Sequence, residues 1–151
     1  MRLNDQDPLE ILANTPANLE RILKTLGVAG AELSYAPGKW VAREIVCHLA
    51  DMEIVFGFRL RQAFDTEHVL QPVNEESWAK SYLRLPIQSA LIAFLSARTW
   101  NLALIETFEK SDFDRTMRHP KHGVQNVMKM LKIFAGHDLN HLEQLEKITK
   151  S

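Results

Sequence analysis

The chain has 151 residues, of which 46% are hydrophobic and 25% charged, proportions typical of a chain that folds around one core. We therefore expect a single domain over residues 1–151. Eighteen Lys and Arg against nineteen Asp and Glu leave a net charge of −1, which argues against nucleic acid as a partner. One cysteine, no apolar leader and no apolar run of bilayer length predict a cytoplasmic protein without membrane spans.

Hydrophobic residues recur at intervals of three and four in four long segments and never alternate over the length of a strand. This pattern predicts an all-α fold. The first segment covers about residues 8–26 and contains Pro16. We expect a turn there and a new helix beyond it, because Thr15 can cap a helix and proline suits the first helical position.

The second predicted helix covers about residues 41–64 and carries His48 among its apolar positions. A long link, residues 65–85, follows it. Within this link, Asn74 can cap a short helix that opens with two acidic residues. The link is therefore expected to be partly helical.

The third predicted helix begins near Pro86, and polar residues from Lys110 signal its end. A polar loop over residues 119–123 leads to the fourth predicted helix, residues 124–149. Because the connection between predicted helices 2 and 3 is long, the sequence predicts a four-helix bundle with one crossover connection.

Two histidines lie in the apolar stripe of the fourth helix. The stripe contains Val127, Met130, Phe134, His137, His141, Leu145 and Ile148. His137 and His141 are about one turn apart and can bind one ion, and His48 in the second helix could complete a set of three. Three imidazoles around a divalent ion leave a coordination position open, as in catalytic zinc sites. The alternative is that each histidine is an ordinary hydrogen-bonded core residue.

Acidic residues near these histidines could orient them or transfer protons. Glu44 lies one turn before His48 on the same face and is our candidate for an acid/base role. Asp51 and Asp138 are the other acids nearby in sequence. An acid on an exposed helix edge is equally consistent with a purely solvated side chain.

Other residues have simpler interpretations. Cys47 points away from His48 around the helix, since successive residues differ by about 100°. His119 and His122 could approach the open end of the site, but we expect solvated loop residues. Arg59 and Arg98 could hold an anionic substrate group, although pairing with acids or snorkelling is the simpler expectation.

Two motifs together resemble those of the DinB/YfiT-like superfamily of bacterial helical bundles. They run from Pro37-Gly38-Lys39-Trp40 through Arg43-Glu44-Ile45-Val46-Cys47-His48-Leu49-Ala50-Asp51, and over His137-Asp138-Leu139-Asn140-His141-Leu142-Glu143-Gln144-Leu145. The resemblance implies a four-helix bundle that binds a divalent metal, zinc or nickel, through His48, His137 and His141. One departure is Val41, where such proteins often have a capping Ser or Thr.

Members of that superfamily include transferases and isomerases that use a low-molecular-weight thiol. The resemblance therefore implies a thiol-dependent transferase, or a related metal-dependent hydrolase, acting on a small molecule and assembling as a homodimer. A bacterial thiol is the implied cosubstrate in the first case. The sequence leaves two alternatives open: a non-enzymatic metal-binding bundle with a stress-response or interaction role, and a purely structural bundle.

Overall fold

The computed structural model describes Leu3 and residues 5–65 and 69–150. Part of the N-terminal segment that is expected to carry no leader, and residues 66–68 of the predicted link, lie outside the described residues. The elements in chain order are α1 (Pro8–Gly30), α2 (Ala42–Gln62), α3 (Glu75–Tyr82), α4 (Ile87–Ile105), a 3-10 helix (Lys110–Asp114), β1 (Thr116–His119), β2 (Gly123–Asn126) and α5 (Val127–Thr149).

Four long helices form the bundle, as the sequence predicted. Helix α1 packs mainly against α5, and α2 packs mainly against α4, while α5 also contacts α2. The connection from α2 to α4 carries the short helix α3. Asn74 caps α3 by accepting a hydrogen bond from the backbone N–H of Ser77 at 3.0 Å, which confirms the expected helix in this link.

The expected break at Pro16 was wrong, because α1 continues through it. Proline has no backbone N–H, so the carbonyl of Leu12 loses its usual helical donor. The guanidinium of Arg98 replaces that donor, with Nη1 2.8 Å from the Leu12 oxygen. The interruption in α1 lies instead at Gly27, whose φ of 63° is outside the helical region.

The polar loop before the last helix was also predicted incorrectly. It forms an antiparallel hairpin, in which Thr116 pairs with Asn126 and His119 pairs with Gly123. Gly123 has a φ of 69°, a conformation that glycine adopts readily at a tight turn. Helix α4 ends at Ile105, before the predicted polar signal, and the 3-10 helix follows.

The hydrophobic core has two clusters that meet midway along α2 and α5. Met52 and Phe134 belong to one cluster, and Leu49 and Leu145 belong to the other. The predicted histidine positions fall at this junction. Among the described residues, we find no helix with the length and apolar character that crossing a bilayer requires.

Candidate functional site

Three histidines from two helices meet inside the bundle. His48 comes from α2, and His137 and His141 come from α5. One possible ligand atom from each ring lies within 4.8 Å of the others. The Nε2 atoms of His48 and His137 are 2.9 Å apart, and all three pairs of ring centroids are separated by 4.4 to 5.0 Å. We call these residues the histidine triad.

Burial keeps two of these imidazoles, those of His48 and His141, neutral. His48 and His141 are 2% and 6% exposed. Burial, followed by the charges of His137 and His141, lowers the pKa of His48 to about 3. Burial and the charge of His137 lower the pKa of His141 to about 4. Both rings therefore present lone pairs at neutral pH, which is the state that a metal requires.

A neighbouring amide fixes the orientation of one ring. The Oε1 atom of Gln144 lies 2.9 Å from Nδ1 of His141. Because a carbonyl oxygen can only accept, the proton lies on Nδ1 and the lone pair lies on Nε2. By contrast, the Nδ1 atoms of His48 and His137 are buried and have no hydrogen-bond partner within the described part of the chain.

Aromatic side chains cover one side of the triad. The Trp40 ring is stacked over His141, with centroids 6.4 Å apart, and its centroid is 5.0 Å from that of His48. Tyr82 approaches Trp40 edge-on and donates a hydrogen bond of 2.8 Å to Asp51. Trp40 belongs to the first sequence motif, and the structure shows that its ring covers the histidines.

A buried ion network lies directly behind the triad. Arg98 of α4 is 0% exposed, and its guanidinium reaches Oε2 of Glu53 at 2.6 Å and Oδ2 of Asp138 at 2.7 Å. Asn101 donates a further hydrogen bond of 2.8 Å to Glu53. Pairing of Arg98 with acids was expected, but snorkelling was not correct, because the side chain is enclosed by the core.

This network brings negative charge to His137. Oδ1 of Asp138 lies 3.8 Å from Nδ1 of His137. Burial would raise the pKa of Asp138, but the adjacent His137 and Arg98 side chains lower it overall. Two buried carboxylates and one guanidinium therefore place a net negative charge beside the histidines, which favours a cation there.

The other candidates from the sequence, Glu44, Asp51 and Cys47, are not part of the histidine triad. Glu44 is half-buried, and its Oε2 accepts a hydrogen bond of 2.9 Å from the backbone N–H of Val41. It thus supports the start of α2, where Val41 provides no side-chain cap. Asp51 is occupied by Tyr82. Cys47 is buried as expected, and burial raises the pKa of its thiol.

A pocket of about 590 Å³ lies between His137 of the triad and the hairpin. Its lining includes His137, Phe134 and Arg59 of the bundle helices and His119 and His122 of the hairpin region. The sequence left open whether the loop histidines approach the site, and the hairpin brings both to this pocket. The spacing of the loop residues could not indicate this position without the hairpin.

The DinB superfamily matches residues 11–145 of the chain, a segment that contains the whole triad. The chain belongs to the DinB superfamily. A relative from Oceanobacillus iheyensis named "Putative metal-dependent hydrolase" is 30% identical over 143 residues, covering 91% of this chain and 83% of the relative. A protein of the same name from Bacillus mycoides is 23% identical over 142 residues, covering 93% of this chain and 82% of that protein.

Two solved structures have the same fold as this chain. YfiT from Bacillus subtilis, described as a probable metal-dependent hydrolase with an unusual four-helix bundle topology, superposes with a TM-score of 0.87 at 19% identity, covering 99% of this chain and 89% of YfiT. A mycothiol-dependent maleylpyruvate isomerase superposes with a TM-score of 0.77 at 12% identity, covering 96% of this chain and 63% of the isomerase. At these identities the likeness establishes the fold alone.

Proposed function

We propose that this DinB protein is a cytoplasmic, single-domain enzyme that binds one divalent metal, zinc or nickel, through His48, His137 and His141. The observation that carries the proposal is the convergence of three imidazoles from α2 and α5, two of them buried and one partly buried, within 4.8 Å. Its reaction is hydrolysis of a small molecule or transfer of a low-molecular-weight thiol to an electrophile.

The donor set fits a divalent ion. Zinc and nickel both accept imidazole nitrogen, and three such ligands leave a coordination position for water or substrate. Low pKa values at His48 and His141 remove proton competition near neutral pH. The net negative charge of the Arg98 network behind the triad offsets part of the ion's charge.

A divalent ion in this position supplies Lewis acidity, which lowers the pKa of a water or thiol that it binds. The chain supplies the rest of the site. Gln144 holds one imidazole in a single tautomer, Asp138 supports His137 electrostatically, and Trp40 shields the triad from bulk water. These contacts favour a rigid and partly dry reaction centre.

Hydrolysis and thiol transfer are supported by different relatives. The names of the curated relatives favour hydrolysis, and the mycothiol-dependent structural neighbour favours a thiol cosubstrate. An ester panel assayed beside bacterial thiols with a generic electrophile separates the two reactions. Metal binding without activity in either panel would favour the alternative, a non-enzymatic metal-binding bundle with a stress-response or interaction role.

The wild-type chain should retain close to one metal ion, and His137→Ala should lose it. Removing one of three ligands leaves two imidazoles, which bind a divalent ion far more weakly. Elemental analysis of purified proteins measures the metal content per chain. His122→Ala is the matched control, because His122 is exposed and lies outside the triad. Equal metal content in wild type and His137→Ala would contradict the proposed site.

Glu44→Gln should reduce turnover in whichever panel is active by about a hundredfold or more, if Glu44 transfers protons. The amide oxygen of glutamine can still accept the hydrogen bond from Val41, so thermal stability should change little. Comparing kcat with Tm separates the two roles. Unchanged kcat in this variant would restrict Glu44 to capping α2.

A homodimer is the proposed assembly, and its support is an exposed apolar surface on the outer sides of α2 and α4. Ile54, Phe58 and Trp100 are 60%, 59% and 69% exposed. Light scattering should give a mass about twice the 17.3 kDa of one chain. Trp100→Glu should shift the mass towards the monomer, whereas Val28→Glu, at a position that is 95% exposed on α1, should not. A monomeric wild type would contradict the assembly.

A further inference from the structure

The pocket beside the triad is built by two parts of the fold. Met52, Phe134 and His137 line it from the bundle helices, and His119 and His122 line it from the hairpin region. Its volume of about 590 Å³ lies within the range of small-molecule sites. Because His137 belongs to both the pocket and the triad, a molecule in the pocket lies next to the proposed metal.

The charged side chains of this pocket are mainly basic. Arg59, Lys121 and Lys129 line it, against one acid, Glu75, among the residues that the structure describes. None of the three basic side chains forms a salt bridge with an acid in residues 5–65 or 69–150. The chain as a whole has a net charge of −1, so the positive charge is a local property of the pocket.

The surroundings of Arg59 and His119 show that these positive charges lie close together. Arg59 is half-buried, and its Nη2 donates a hydrogen bond of 3.2 Å to the carbonyl of Gln71, which uses one of five guanidinium donors. Burial, followed by the positive charges of His122, Arg59 and Lys121, lowers the pKa of His119. The hairpin therefore adds its cationic residues to the field of Arg59.

We propose that this pocket binds a small anionic molecule, through a carboxylate or phosphate group held by Arg59, Lys121 and Lys129. Both groups accept charge-assisted hydrogen bonds from guanidinium and ammonium donors. The remainder of the molecule extends over Met52 and Phe134 towards His137. This inference rests on the proposed function and adds a substrate class to it.

Calorimetric titration of the full chain tests the inference with three probes: succinate, its uncharged counterpart succinamide, and inorganic phosphate. Chelator-treated and zinc-loaded protein are both titrated. Succinate or phosphate should bind to both forms, more weakly at high ionic strength, and the tighter of the two identifies the preferred group. Arg59→Gln and Lys129→Gln should each weaken binding about tenfold. Lys132→Gln should match wild type, because Lys132 is exposed on the same helix as Lys129 but does not line the pocket.

Three results would overturn the inference: equal binding of succinamide and succinate, an equal loss in Lys132→Gln, or anion binding only in the zinc-loaded protein. The last result would attribute binding to the metal. Metal content, measured on the same samples, keeps this test separate from the proposed function. Anion binding by a chain that takes up no zinc when zinc is supplied would reject the metal proposal alone, and zinc uptake without anion binding would reject this inference alone.

Discussion

Arg98→Met should lower the free energy of unfolding by about 3–5 kcal/mol, because it leaves the carboxylates of Glu53 and Asp138 buried without a cation. Arg98 is 0% exposed, and the two acids are 1% and 2% exposed, so solvent cannot replace the lost partner. The Leu12 carbonyl, which Pro16 leaves without a helical donor, also loses its hydrogen bond. Urea unfolding at neutral pH measures the loss.

Two comparisons show whether the loss comes from uncompensated charge. Arg84→Met removes an exposed arginine and should change stability by less than about 0.5 kcal/mol. Adding Glu53→Gln and Asp138→Asn to Arg98→Met removes both unpaired charges and should recover a large part of the stability. A loss in Arg98→Met no greater than that in Arg84→Met would contradict the role assigned to the network.

Pro16 offers an independent measure of the same network. Alanine at position 16 restores a backbone N–H for the Leu12 carbonyl, so Pro16→Ala should stabilise the Arg98→Met protein more than it stabilises wild type. The difference between the two effects is the coupling between Arg98 and the proline site. This contact explains how one helix tolerates an internal proline.

Local patterns in the sequence were sufficient to predict the bundle and the position of three histidines on the core-facing sides of two helices. Helical spacing places His137 and His141 on one face of α5, and His48 occupies an apolar position of α2, so the same periodicity that builds the core identifies them. Their meeting depends on the relative height of α2 and α5. The structure shows that the three rings lie at the same level along the bundle. Spacing within one helix could not predict this.

Contacts between distant segments account for the features that were missed. The break at Pro16 follows from local propensity alone. The hydrogen bond that compensates for the proline comes from Arg98 on α4, which local propensity cannot show. The sequence predicts a loop around His119 and His122 because the two strands of the hairpin are only four residues long and show no regular alternation. The basic pocket follows from this hairpin, so it was equally hidden in the sequence.

Acidification should destabilise the metal-free protein through the triad. The pKa values of His48 and His141 are about 3 and about 4 in the folded chain, against about 6.5 for an unfolded histidine. Below pH 6.5 the unfolded chain therefore binds protons that the folded chain does not, and stability falls as the pH falls. Above about pH 7.5 the histidines are neutral in both states, and these groups contribute no pH dependence.

At pH 5.0 both rings are still neutral in the folded chain. Each ring should therefore lower the free energy of unfolding by about 2 kcal/mol relative to pH 7.5. Urea unfolding of chelator-treated protein at the two pH values measures the combined loss, about 4 kcal/mol. His48→Gln cannot titrate at position 48 and should lose only about half as much, whatever its own stability at pH 7.5. Asn140→Gln, at an exposed position of α5 without a titratable group, should retain the full dependence. The same pH dependence in wild type and His48→Gln would show that His48 does not remain neutral in the folded core, and would remove the electrostatic basis for metal binding near neutral pH.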